Sequence, residues 1–233
     1  MFSFSHHCAT RPNRLLLACM LSLGLVACGG ESSESLASQA KTSIAKGDAK
    51  AAIIQLKNAI AADERNAEAR YELGKLYLAQ QDLASAEKEF RRAREAGYDA
   101  GKVNPLIARV LLSQREYQRV LDELPAPTES TPEAATLKAL RATATLGLGR
   151  KDEAREALQQ TLESAPDNAE VHLALAQLAL SDGDGEKAMR ELDQALLIEP
   201  RHRDSLMLKG DLLRTTGKSA EAAKVYREVL RID

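Results

Sequence analysis

The chain contains no tryptophan, and aromatic residues make up only 3% of it. A core of this composition cannot lean on large rings and must be built from many small Ala and Leu contacts. Neither sign of charge is in excess: 32 Lys and Arg stand against 34 Asp and Glu, for a formal net charge of −2. That balance excludes a strongly basic nucleic-acid binder. Cysteine is confined to Cys8, Cys19 and Cys28, so the rest of the chain has neither disulfides nor a Cys metal site. What is present is 44% hydrophobic and 28% charged residues over 233 positions, which suits a folded helical protein rather than a disordered one.

No acidic residue occurs before Glu31, while Arg11 and Arg14 precede the apolar run Leu15 to Ala27. At 1.5 Å per helical residue this run covers about 20 Å, short of the roughly 30 Å hydrocarbon core. It has the pattern of a secretory signal. The end of the run, Leu25-Val26-Ala27-Cys28, resembles the bacterial lipoprotein box. The resemblance implies cleavage before Cys28 after its thiol has been acylated. The expected organisation is therefore a signal peptide at 1–27, a lipidated linker at 28–32 and a folded region at 33–233. With Gly29 rather than Asp after the cysteine, the expected location is a Gram-negative envelope, lipid-anchored in the outer membrane and facing the periplasm.

The folded region repeats every 34 residues, from Ser33, Ala67, Gly101, Ala135, Ala169 and Arg203. Position 8 of each unit is small: Ala40, Gly74, Ala108, Ala142, Ala176 and Gly210. Position 20 is Ala in every unit but the third, where it is Val120. Position 24 is large and apolar: Leu56, Phe90, Leu124, Leu158, Leu192 and Tyr226. Small residues at 8 and 20 let two antiparallel helices approach, and the bulky residue at 24 fills the space beside them. Position 15 holds Gly47, Gln81, Arg115, Gly149, Gly183 and Gly217. Glycine there allows the positive φ that ends a helix. Pro132, Pro166 and Pro200 at position 32 are expected to stop the second helix and set up the next. In the third unit Pro105 falls in the first helix, and Leu124-Pro125-Ala126-Pro127 predicts a shortened second helix and a looser joint near 125–132. At the far end Val225, Val229 and Ile232 are expected to be partly uncovered, to be met by further repeats or by pairing through that end.

This pattern resembles the tetratricopeptide repeat, most clearly at Leu73-Gly74, Tyr77, Ala86, Phe90 and Ala93. The resemblance implies an all-α, right-handed α-solenoid of about six helix-turn-helix repeats. At position 4 the family's usual Trp is replaced by Leu36, Arg70, Asn104, Lys138, His172 and Leu206. The family's concave groove is lined by first-helix positions, which here place Lys41, Lys75 and Arg109 at position 9, Leu78 and Leu112 at position 12, and Tyr71 at position 5. The aligned cations imply an anionic occupant, an acidic protein segment or an acidic polysaccharide, with Tyr71, Leu78 and Leu112 supplying apolar contact. The Asn residues of the carboxylate clamp found in chaperone-binding members are missing from positions 9 and 12.

No enzyme constellation emerges from the sequence, and no cofactor or metal is expected. His172 and His202 stand alone in sequence. Ser38 to Lys41 and Ser43 to Lys46 match a Ser-x-x-Lys pattern with no companion motif. Asp182 to Glu186 resembles the start of a calcium loop but falls on the repeat's turn, where Asp and Gly belong. Gly147-Leu-Gly149 follows no strand and precedes no Lys-Ser or Lys-Thr. Lys50 to Ile60, Asn66 to Lys75, Val120 to Leu124 and Leu208 to Leu213 are similar to the repeat lipoprotein of the PEP-CTERM/exosortase system. That resemblance implies a non-enzymatic scaffold in protein sorting or exopolysaccharide export, anchored to the membrane by lipid alone. The alternative is a pilotin-like lipoprotein that assists assembly of a type IV pilus secretin.

Overall fold

The structure, a computed structural model, describes residues 31–232. The signal segment and Cys28 lie outside the described residues. Among those described there are twelve helices: α1 (Ser33–Ala45), α2 (Ala49–Ala62), α3 (Ala67–Ala79), α4 (Leu83–Glu95), α5 (Ala100–Ser113), α6 (Tyr117–Glu123), α7 (Pro132–Gly147), α8 (Lys151–Ser164), α9 (Ala169–Ser181), α10 (Gly185–Ile198), α11 (Arg203–Thr215) and α12 (Ser219–Val229). Each odd helix packs on the even helix after it, and each even helix packs on the next odd one, the short α6 included. The first helices also meet each other, α5 on α7 and α7 on α9. The chain is an all-α helical solenoid of six repeats. None of its described helices is long and apolar enough to cross a membrane.

The turn between paired helices is the same six times. The residue at position 15 has positive φ in every repeat, including Gln81 and Arg115, both at 61°. The amide of the following residue then donates to a carbonyl five residues back, as in Asp48 to Ser43, Asp82 to Tyr77, Glu116 to Leu111 and Lys218 to Leu213. Non-glycine residues in this conformation cost about 1 kcal/mol each. The repeat geometry imposes it regardless. Asp48, Asp82 and Asp184 cap the second helix through their side chains, whereas Glu116, Arg150 and Lys218 at the same position make no such bond.

Positions 8 and 24 meet inside each pair, and their volumes are matched. Leu56, Leu124, Leu158 and Leu192 share a core cluster with Ala40, Ala108, Ala142 and Ala176, each Leu with the Ala of its own repeat. Where position 24 is aromatic, position 8 is glycine. A Cβ on Gly74 would lie 2.7 Å from the Phe90 ring, and one on Gly210 would collide with Tyr226. Ring and missing methyl compensate each other.

The missing Trp of position 4 is replaced by an ion pair in one repeat and by a hydrogen-bonded His–Glu pair in another. Arg70 meets Glu89 at 2.8 Å, both nearly buried, and also donates to the Glu64 carbonyl. His172 meets Glu191 at 2.8 Å at the corresponding positions.

In the third repeat α6 has only seven residues, as the prolines require. The end of α6, just ahead of the joint, is tied to the next repeat. Arg141 of α7 donates to the carbonyls of Val120, Leu121 and Leu124, which the helix end leaves without amide partners. Burial pulls the Arg141 guanidinium below its ordinary range. Arg119 of α6 also binds Glu87 of α4, Glu116 and Glu123, while Arg91 of α4 reaches Glu123. The hydrogen bond from Arg119 is the first cause that lowers the Glu123 carboxyl. Pro132 does not end a second helix. It is the first residue of α7, behind the Thr131 cap, so this helix starts three residues ahead of the repeat frame.

At the far end Val229 is buried, contrary to expectation, and Leu230 at 73% exposure is the large open residue instead. Val225 and Ile232 are half-buried.

A candidate binding groove on the first helices

Lys41 lies on α1, Tyr71, Lys75 and Leu78 on α3, and Arg109 and Leu112 on α5. The three cations at position 9 are not left without partners. Lys41 meets Glu68 at 2.6 Å, Lys75 meets Glu72 at 3.0 Å, and Arg109 meets both Glu170 and Asp204, the latter at 3.1 Å. The hydrogen bond that Lys41 donates to Glu68 raises its ammonium above its ordinary range. Each aligned cation thus has its counter-charge from the chain's own acids, and none is left to call for an anionic ligand. Glu68, Glu170 and Asp204 all occupy position 2 of their repeats. An acid at position 2 facing a cation at position 9 was the signal available in the sequence.

Leu78 and Leu112 are half-buried and pack on the core of the second and third repeats, so they form a floor rather than a free stripe. Tyr71 stacks on Tyr98 with ring centroids 4.3 Å apart and 15° between planes, and the Lys75 ammonium lies 5.4 Å from the Tyr71 ring centre. Burial raises both phenol groups above their ordinary range. Tyr98 comes from the α4–α5 connection. No first-helix register identifies it.

Two depressions follow the first-helix face. One, of 500 Å³, has Tyr71, Tyr98, Lys102, Pro105 and Arg109 on its walls. The other, of 430 Å³, has Arg109, Leu112, Leu140, Leu146, Leu173 and Asp204. Arg109 belongs to both and divides them. It spans from the third repeat to Glu170 in the fifth and Asp204 in the sixth. Burial pushes the Glu170 carboxyl up, but Arg109 and His202 beside it outweigh burial and hold it below its ordinary value. His202 is itself fixed by Ser205, 2.7 Å from its Nδ1. This arrangement can hold extended chain by polar rim and apolar floor.

The motifs weighed for other chemistry have structural partners. His172 binds Glu191 and the Pro166 carbonyl. Asp182 pairs with Lys151 and Arg155, and Asp184 caps α10. Ser43 donates to Gln55. Among the described residues no three His, Cys, Asp or Glu side chains cluster to hold a metal ion.

Comparison with protein families matches a model described as "Tetratricopeptide repeat" at residues 43–110 and 145–212, and a second model of that description at 204–233. The matches pass over 111–144, which contains the short α6 and the proline-rich joint. A comparison with curated proteins gave no match. Among solved structures the chain is similar to YrrB, described as a TPR protein with an unusual peptide-binding site, at 22% identity over 76% of this chain and 92% of that one, with a TM-score of 0.53. It is similar to pilF of Pseudomonas aeruginosa at 19% identity over 86% and 91%, with a TM-score of 0.55. It is also similar to PilW, described as a widely conserved type IV pilus biogenesis factor, at 17% identity with the same coverage and TM-score. At these identities the likeness concerns the fold.

Proposed function

The chain belongs to the tetratricopeptide repeat family, and from that premise we propose that it is a non-enzymatic scaffold that holds a protein partner along the first-helix groove. The observation that carries this reading is the pair of depressions divided by Arg109, which together give an apolar floor with polar anchors. A photo-crosslinking amino acid placed at Thr143, inside the groove, should capture a partner in living cells. The same group at exposed Lys88 on α4 should not. Equal capture at both positions would place the partner elsewhere.

The scaffold acts at a membrane, tethered through lipid on Cys28 and facing the periplasm. The lipoprotein box supports this part of the reading. Cys28→Ser, or globomycin on the wild type, should leave an unprocessed precursor. Normal maturation of the variant would end the lipoprotein reading. Gly29 favours the outer membrane, and recovery only in inner-membrane fractions would reverse that.

Similarity of the first two repeats to the PEP-CTERM/exosortase lipoprotein supports a role in surface-protein sorting or exopolysaccharide export. A second reading, in type IV pilus secretin assembly, is supported by the likeness in fold to PilW, a pilus biogenesis factor. Deletion of the gene separates the two. Retained precursor of sorted surface proteins with intact pili supports the first, and loss of secretin multimers supports the second.

A further inference from the structure

The depression floored by Leu112, Leu146 and Leu173 has an uneven charge balance. Its charged lining residues are Arg109, Glu170 and Asp204, one cation and two acids. One arm of the Arg109 fork meets Glu170 and the other donates to Asp204 at 3.1 Å. Glu170 is 5% exposed and stays ionised against Arg109. Asp204 differs in that its side chain is 56% exposed at the rim and meets Arg109 through Oδ2. An entering anion would have to displace Asp204 from Arg109, exchanging one carboxylate for another. An entering cation adds to Asp204 without breaking a contact, and it neutralises the remaining charge. The walls beside it include leucines, Thr143 and Gln177 bond to each other at 3.1 Å, and the Ser113 hydroxyl donates to the Arg109 carbonyl.

We propose that this depression binds a segment of a partner protein in which a large apolar side chain stands beside a Lys or Arg. The apolar side chain packs on Leu112, Leu146 and Leu173, and the cation pairs with Asp204. This rests on the reading of the first-helix groove as the binding face and assigns its ligand chemistry, which is opposite in sign to what the position-9 cations alone suggest.

The test is selection of a random peptide library, displayed on phage, against the full chain. Enriched sequences should carry Lys or Arg next to Leu, Ile, Phe or Met. Synthetic copies should bind more weakly as salt rises. They should lose about tenfold in affinity for Asp204→Asn, the scale of one charge-assisted hydrogen bond. Asp204→Lys should enrich acidic sequences instead. Asp204 is exposed, and unchanged helicity by circular dichroism verifies that both variants fold. Enrichment of acidic sequences by the wild type, basic peptides that bind Asp204→Asn unchanged, or no enrichment at all overturns the proposal. Thr143→Trp fills the depression without adding charge and separates the two levels of the argument. Peptides blocked by Thr143→Trp but indifferent to Asp204→Asn keep the groove and refute the charge assignment. Peptides indifferent to both refute the groove as well.

Discussion

Gly74 and Phe90 show how closely single residues in this chain are fitted to one another. Phe90 is fully buried, so its ring has no room to swing from a new methyl group. Gly74→Ala should therefore cost about 1–3 kcal/mol in a urea melt. Phe90→Leu in that background should recover part of the loss, because Ala with Leu is the combination used in four other repeats. A strictly additive double-mutant cycle would show that the two positions do not share the space. Gln81 offers the opposite change. It holds a φ of 61° where four other repeats use glycine. Gln81→Gly should stabilise the protein by about 0.5–1 kcal/mol, since relief of the left-handed strain exceeds the added chain entropy. A lowered urea midpoint would refute this.

At the scale of the element, every second helix begins from the same turn, but only some begin with a capping side chain. Lys218 precedes α12 with φ −86° and ψ 52°, close to the backbone of the capping residue Asp48, and makes no side-chain cap bond. Lys218→Asp should add a cap and an acid at the positive helix end. The expected gain is about 0.5–1 kcal/mol, read as a higher melting temperature. Helix α6 is the exception among the elements. Its sequence shows why it stops, since Pro125 and Pro127 cannot continue it. What holds the broken end, the Arg141 guanidinium on three carbonyls, comes from the next repeat and has no local signature.

For the whole molecule, solenoid stability is approximately a sum of repeat terms and nearest-neighbour terms. The Arg109 contacts with Glu170 and Asp204 skip neighbours and tie the third repeat to the fifth and sixth. Arg109→Leu should broaden the urea transition and lower its m-value, as the two ends begin to unfold separately. An unchanged m-value would show that the tie adds nothing to cooperativity. The same site sets a pH dependence. Glu170 has a carboxyl held below its ordinary value in the fold, so the unfolded chain binds protons more readily. Its stabilisation is whole above the ordinary glutamate range and drains as pH falls through and below that range. Glu170→Gln should be less stable than the wild type at neutral pH, by about 3 kcal/mol at most because Arg109 keeps Asp204. The gap should narrow in acid. A gap that is constant with pH would mean that Glu170 is not ionised in the fold.

The helical repeat and its register were determined by the sequence alone, because a 34-residue period of small and bulky positions acts through local turns and adjacent helices. The shortening of α6 was legible for the same reason: a proline acts on its own helix. The partners of Arg109 were not, beyond the acids at position 2 that mark the candidates. A cation at position 9 has several acids within reach in principle, and only the folded path of the repeats brings Arg109 of α5 to Glu170 of α9 and Asp204 of α11. The sign of the groove's charge is a sum over repeats far apart in the chain, so the tertiary structure decides it.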